Sequence, residues 1–147
     1  MYKIVLDTNV VLSALFSSKG ASFKLLDLLI KHAEQEQKFN VVSVPLVMEF
    51  EEVILRSKNR DKYPYFDEEE LRLIISDIVA ISAKTKLHFL WRPFLKDTFD
   101  DKVLETAVNG RAKAIITFNT KDFVGVKKMF NIDILTPGEL LQKGFLS

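Results

Sequence analysis

The sequence predicts an α/β fold in which helices cover both faces of a mostly parallel sheet. Short apolar runs of strand length alternate with longer amphipathic segments along the chain, which is the pattern of βα units. The short runs are apolar throughout, as expected for strands that are buried on both faces. The 147 residues, 48% of them apolar, suffice for a core, so we expect a single domain over residues 1–147.

Hydrophobic periodicity divides the first third of the chain into two strands and three helices. The strands are predicted at residues 2–6 and 40–44, and the second one is β-branched and stopped by Pro45. The helices are predicted at residues 9–16, from Phe23 toward Gln37 after a turn at 17–20, and from Pro45 onward.

Capping residues and breakers delimit the middle of the chain. The polar and basic residues 56–64 predict a loop, and Asp67 with Glu70 forms a capping box for a helix that runs to about Ile81. Residues 85–90 are predicted to form a strand that residues 91–93 break.

The last third continues the alternation. A helix from about Asp100 ends near residues 109–110 and leads into a strand at 114–117. A last strand is predicted at 132–135, and Thr136 followed by Pro137 and Glu139 is typical of a helix start.

Composition excludes several classes of function. The chain has no cysteine, which rules out thiol nucleophiles, disulfides and thiolate zinc sites and agrees with a reducing cytosol. No apolar run is long enough to span a bilayer, and the N-terminus does not resemble a signal peptide, so we expect a cytoplasmic protein. The net charge of +1 means that nucleic acid binding would need a local basic patch.

Oxygen ligands follow two of the predicted strands. Asp7 comes directly after the first strand, and Asn119 and Asp122 come shortly after the strand at 114–117. Because ligands of open α/β sheets bind at the carboxyl ends of the strands, these side chains are candidates for a site. Further candidates are Glu49 and Asp101, and converging carboxylates require a cation to offset their repulsion. Oxygen-only ligands favour Mg²⁺ or Mn²⁺, and such a metal indicates phosphoryl chemistry.

Four motifs in order resemble those of a PIN domain, and in particular of VapC-type ribonucleases of prokaryotic toxin–antitoxin systems. They are Leu-Asp-Thr-Asn-Val around Asp7, Ser43 with Glu49 six residues later, Asp-Asp-Lys-Val-Leu-Glu-Thr-Ala from Asp100, and Ile-Thr-Phe-Asn-Thr-Lys-Asp-Phe from Ile116. The resemblance covers essentially the whole chain.

The resemblance implies a three-layer α/β/α fold and an Mg²⁺- or Mn²⁺-dependent endoribonuclease. It also implies a homodimer and a cognate antitoxin protein. By position, Asp7, Glu49 and Asp101 match the first three acids of the family, while Asn9, Thr117 and Phe118 are expected to line the site. Asn119 stands where many members carry a fourth acid, so Asn119 and Asp122 are alternatives for that ligand position.

Several assignments stay open from the residues alone. Helical periodicity does not choose between Glu49 and Glu51, which flank the same apolar stripe, and only the motif spacing selects Glu49. The basic residues Arg56, Lys58, Arg60 and Lys62 could contact RNA phosphates, although charged runs in loops are more often simply solvated. The aromatic residues Tyr63, Tyr65, Trp91 and Phe118 could stack on unpaired bases, although aromatics of a small domain more often belong to the core, and only Phe118 is adjacent to the expected site. His32 and His88 have no partners at metal-ligand spacing and are interpreted as structural or surface residues.

Rival functions fit less well. A haloacid-dehalogenase-type phosphatase needs an acid at the position of Asn9, and a receiver domain needs an acid where Pro45 follows the second strand. The remaining alternative is a catalytically silent PIN-like module that binds RNA or protein, which Asn119 makes plausible.

Overall fold

The computed structural model describes residues 2–56, 66–88 and 100–146 of the chain. The strands in these ranges are β1 (Ile4–Leu6), β2 (Val41–Val42), β3 (Ala83–Lys84), β4 (Ala114–Ile116) and β5 (Asp133–Leu135). The helices are α1 (Thr8–Phe16), α2 (Ala21–Ala33), α3 (Val44–Ile54), α4 (Glu68–Ala80), α5 (Asp100–Asn109), α6 (Val126–Phe130) and α7 (Pro137–Gln142), with a 3₁₀ turn at Thr120–Phe123.

The strands are parallel, and the predicted α/β fold with a parallel sheet flanked by helices is confirmed. β4 pairs with β1 on one side and with β5 on the other, and β2 pairs with β3. A bridge between Ile4 and Asn40 joins the two ladders. The resulting order is β3, β2, β1, β4, β5.

This order reverses direction between β1 and β4. From β1 the chain moves outward through β2 to β3, and it then returns to β4 on the other side of β1 and continues to β5. The Asp7 N–H donates to Ile116 O at 2.9 Å and the Thr117 N–H donates to Leu135 O at 2.9 Å, so both residues lie at the carboxyl edge of the sheet. A crevice for ligands is expected at such a switch point.

The core lies around β1 and β4, whose residues are all buried. Leu25, Leu46, Phe50, Leu104 and Phe123 contribute large, fully buried side chains from the surrounding helices and the 3₁₀ turn. Each such side chain stabilises the fold by about 1.5–3 kcal/mol relative to an exposed one. Within the described ranges, no helix combines the length and the apolar character needed to cross a membrane.

The predicted helix caps are confirmed. Asp67 accepts from the Glu70 N–H at 2.8 Å, and the Glu70 carboxylate accepts from the Asp67 N–H at 3.3 Å, which completes a capping box on α4. Thr136 and Glu139 form the same pair of bonds on α7. α3 begins one residue before Pro45, because the Ser43 hydroxyl caps it by accepting from the Leu46 N–H at 3.4 Å.

The predicted strand at 85–90 is wrong over its described residues, 85–88. The strand lies earlier, at Ala83–Lys84, because these residues are in register with Val41 and Val42 of β2. The Ala83 N–H donates to Asn40 O at 2.8 Å, and the ladder ends where the Thr85 N–H donates to Val42 O at 2.9 Å. The chain forms α6 where we predicted no element, between Gly125 and Asn131, both of which have positive φ angles. The predicted loop at 57–64 and the predicted break at 91–93 lie outside the described residues.

Candidate functional site

A cavity of about 280 Å³ opens at the carboxyl ends of β1 and β4, beside α3. Asp7, Asn9, Glu49 and Asn119 line it, so the fold brings together four of the side chains selected from sequence. The remaining lining comes from α1, at Thr8 and Leu12, from α3, at Glu52 and Val53, and from Arg56 just after α3. The cavity therefore combines oxygen ligands from three separate stretches of the chain.

Asp7 is held in one orientation by two hydrogen bonds. Its Oδ1 accepts from the Thr8 N–H at 2.7 Å, as the N-cap of α1, and its Oδ2 accepts from the Thr117 hydroxyl at 2.8 Å. The Thr117 hydroxyl in turn accepts from the Asn119 N–H at 3.0 Å. The end of β4 thus positions the carboxylate that follows β1.

Glu49 is connected to the same assembly through Thr8. The Thr8 hydroxyl donates to Glu49 Oε2 at 2.5 Å, and Glu49 is only 9% exposed. Glu51 is exposed and does not line the cavity of Asp7; it lines an adjoining cavity of about 740 Å³ instead. The fold therefore places Glu49 rather than Glu51 beside Asp7, which helical periodicity had left open.

Electrostatics mark Asp7 as unusual. The side chain is 6% exposed, and desolvation by burial raises the pKa of its carboxyl from 3.8 to about 6. This value is the net result, because the charges of Glu49 and Asp122 add to the effect of burial on the pKa and the hydrogen bonds from Thr117 and Thr8 oppose it. A carboxylate with such a pKa has a large free energy to gain from a nearby cation.

The other predicted acids lie around this centre without lining its cavity. Asp122 is exposed on the 3₁₀ turn, and its charge acts on Asp7. Asp101 is fully buried in the first turn of α5. Because α5 leads back to the start of β4, its own start lies at the carboxyl edge of the sheet, but Asp101 is not among the cavity residues.

The donor set fits Mg²⁺ or Mn²⁺. The described part of the chain contains no group of three or more His, Cys, Asp or Glu side chains able to hold a metal ion. The cavity offers the carboxylates of Asp7 and Glu49 together with the Asn119 amide, and its third carboxylate, Glu52, is paired with Arg56 at 3.3 Å. Mg²⁺ needs only one or two protein carboxylates, because it keeps several waters and takes the rest of its ligands from substrate phosphates.

Two of the residues predicted to contact RNA, Phe118 and Arg56, lie at or beside the cavity. Phe118 is 47% exposed, and its N–H donates to Asn9 Oδ1 at 3.4 Å, which puts it beside the site. Arg56 lines the cavity and forms an ion pair with Glu52 at 3.3 Å. Lys58, Arg60, Lys62, Tyr63, Tyr65 and Trp91 lie outside the described residues.

Both histidines lie away from the cavity. The His32 ring nitrogens are 2.9 Å from Gln37 Oε1 and 3.3 Å from Leu146 O, so His32 joins the end of α2 to the C-terminal segment. His88 is exposed, and its backbone N–H donates to the Asn109 side chain at 3.0 Å. Neither ring lines the cavity of Asp7.

Sequence reasoning missed the contributions of Thr8, Glu52 and the face of α3. Thr8 was assigned no function, although its hydroxyl ties Glu49 to the end of β1. Glu49, Glu52, Val53 and Arg56 follow the i, i+3, i+4, i+7 spacing of one helix face. That spacing could have identified the lining once Glu49 was chosen.

Comparison with known proteins gives one result. A family model described as "PIN domain" matches residues 3–121, which is most of the chain. A search among curated proteins found no significant match.

Proposed function

Because this chain belongs to the PIN domain family, we propose that it is a metal-dependent endoribonuclease that hydrolyses phosphodiester bonds of RNA. The observation that carries the proposal is the assembly of Asp7 and Glu49 on one cavity, joined by Thr8, at the switch point of the sheet. A buried acidic pair of this kind is unfavourable without a cation and favourable with one.

The protein side chains would do three things in this reaction. Asp7 and Glu49, with Asn119 or Asp122, would hold Mg²⁺ or Mn²⁺, which supplies an activated water and offsets charge on the phosphate. Thr8 and Thr117 keep both carboxylates in place before substrate arrives. Asp101, which matches the third acid of the family, is fully buried and does not line the cavity, so it would support the site through the packing of α5.

Two neighbouring features fit an RNA substrate. Arg56 lines both the cavity of Asp7 and the adjoining one along α3. Its guanidinium would bind an RNA phosphate in place of its present partner, the Glu52 carboxylate. Phe118 presents a half-exposed ring beside the cavity, suited to stacking on an unpaired base. Both contacts would be made by single-stranded RNA.

We further propose that the nuclease is the toxin of a toxin–antitoxin pair, as a homodimer that a cognate antitoxin protein inhibits. The four-motif resemblance supports this assignment. Large apolar side chains on α1 and α2 also remain exposed and are suited to protein contacts: Phe16, Phe23 and Ile30.

The direct test measures cleavage of single-stranded RNA with and without Mn²⁺ or Mg²⁺. Asp7→Asn and Glu49→Gln should each reduce cleavage by more than about 100-fold, which is the upper range for residues that only support metal ligands. Glu51→Gln is the matched control, because Glu51 lies on the same helix but is exposed and does not line the cavity of Asp7. Equal effects of the two Glu changes would contradict the assignment.

The alternative is a silent PIN-like module that binds RNA or protein without cutting it. Its support is the Asn at position 119, where many members of the family carry an acid. RNA that stays intact at every metal concentration, while the folded protein retains RNA in a gel-shift assay, favours this alternative.

The toxin assignment needs a separate cellular test. Expression of the wild-type chain should arrest growth, and co-expression of the adjacent gene should restore it. Asp7→Asn, expressed to the same level, should leave growth unaffected. Normal growth with an active nuclease would exclude the toxin assignment and retain the enzymatic one.

A further inference from the structure

A second cavity, of about 290 Å³, lies at the opposite edge of the sheet from Asp7. Its walls come from the segment between α5 and β4 and from the segment between α6 and β5, where these strands begin. Arg111 and Lys113 line it from the first segment, and Phe130 and Asn131 from the second. Among its described lining residues are two cations and no acid.

Like charges accumulate around this cavity. The register that pairs Ile4 with Ala114 puts Lys3 beside Lys113, and the Lys113 N–H donates to Lys3 O at 2.7 Å. Like charges on neighbouring strands are destabilising. The nearest acid along β5 is Asp133, whose carboxylate is bound by Lys127 Nζ at 2.6 Å and by the Tyr2 hydroxyl at 3.1 Å. The acid is therefore engaged outside the cavity.

Arg111 has a backbone conformation that side chains disfavour. Its φ is 56°, in the left-handed region where helices usually end with Gly or Asn. Gly110 is needed one residue earlier, because a Cβ there would lie 2.5 Å from Val41 Cγ1 and 2.9 Å from Thr106 O. The left-handed position thus falls on residue 111, where the chain carries Arg despite the strain. Strain of this kind often marks a functional position.

We propose that this cavity binds a phosphate group, with the Arg111 guanidinium and the Lys113 ammonium as its ligands. Guanidinium groups match the oxygens of phosphate with two parallel hydrogen bonds, and Lys adds a point charge. The bound anion would relieve the repulsion between Lys3 and Lys113. Phe130 supplies an apolar wall next to the phosphate position. The group belongs either to a free nucleotide or to an RNA strand, and the site is independent of the proposed nuclease cavity.

Calorimetric titration of the full chain in the presence of a chelator tests the proposal. The probes are inorganic phosphate, adenosine monophosphate and a short single-stranded RNA. Arg111→Gly and Lys113→Gln should each raise the dissociation constant of the tightest probe by about tenfold or more, the loss of one charged contact. Lys24→Gln removes one charge from an exposed position on α2 and should leave binding unchanged.

Arg111→Gly also separates binding from folding, because glycine accepts the left-handed backbone without strain. Its melting temperature should equal or exceed that of the wild type while phosphate binding is lost.

Binding of inorganic phosphate or of the nucleotide identifies a free ligand, and binding of RNA alone identifies a contact with an RNA strand. Either result supports the proposed site if Arg111→Gly weakens the binding. Absence of binding by all three probes at millimolar concentration, or equal effects of Arg111→Gly and Lys24→Gln, overturns it. RNA cleavage at the cavity of Asp7 is measured separately, so the proposed phosphate site and the proposed nuclease activity can each fail without the other.

Discussion

Replacement of Asp7 by Asn is expected to stabilise the metal-free protein at alkaline pH while it abolishes RNA cleavage. The pKa of the buried Asp7 carboxyl is raised from 3.8 to about 6. A group whose folded pKa lies above its unfolded value contributes its full stability below the unfolded pKa and loses it as the pH rises through the folded pKa. The ionised Asp7 therefore destabilises the folded, metal-free protein above about pH 6.

The size of the effect follows from the shift. An increase from 3.8 to about 6 corresponds to a penalty of about 3 kcal/mol at pH 8. Asn avoids this penalty, but its amide cannot accept both existing hydrogen bonds, from Thr8 and from Thr117, which costs about 1 kcal/mol. We expect a net gain of about 2 kcal/mol in the free energy of unfolding at pH 8. Near pH 4 the penalty falls to roughly 0.6 kcal/mol, so the variant should be less stable than the wild type by roughly 0.5 kcal/mol.

Urea unfolding with a chelator present, at pH 4 and at pH 8, measures both values. Asp133→Asn is the control, and its change in the free energy of unfolding should have the opposite sign. The hydrogen bond from Lys127 holds the pKa of Asp133 below its ordinary value, so its ionised form stabilises the fold. Loss of that carboxylate should destabilise the protein at pH 8. Mg²⁺ should then stabilise the wild type, by about 2.7 kcal/mol at 100 times its dissociation constant, and leave Asp7→Asn unchanged.

One result would refute this reasoning. If Asp7→Asn lowers the free energy of unfolding as much at pH 8 as at pH 4, the ionised carboxylate is not penalised by its surroundings. The cavity would then have no electrostatic need for a cation, whatever the cleavage assay shows.

Three further substitutions test the surroundings of the site. Thr117→Val removes the hydroxyl that donates to Asp7 at 2.8 Å, so unfolding at pH 8 should be easier by about 2 kcal/mol, and an unchanged urea midpoint would contradict the bond. Asn119→Asp adds a carboxylate beside those of Asp7 and Glu49 and should tighten Mn²⁺ binding by about tenfold in calorimetry; unaltered affinity would show that this side chain does not reach the ion. Gly110→Ala should lower the free energy of unfolding by about 1–3 kcal/mol, because the added Cβ meets Val41 at 2.5 Å, whereas a stabilising effect would mean that the backbone shifts freely.

The sequence alone was sufficient for elements whose signals are local. The capping box of α4 and the start of α7 were predicted because each depends on residues at most three apart in the chain. The parallel α/β class followed from the alternation of apolar runs and helices, and the position of Asp7 at the end of β1 followed from the apolar run before it. These features need no information about distant contacts.

The tertiary structure decided the features that depend on residues far apart. β3 begins at Ala83 because the register with β2 determines which residues pair, and local composition had favoured 85–90. Glu49 is joined to Asp7 through Thr8, which is 41 residues from Glu49 in sequence. Helical periodicity along α3 carries no information about that contact and so could not choose between Glu49 and Glu51. Asp101 is buried beside the cavity rather than lining it. Local sequence determines the secondary structure of each segment. Packing between segments determines which carboxylates line the same cavity and how far burial shifts their pKa values.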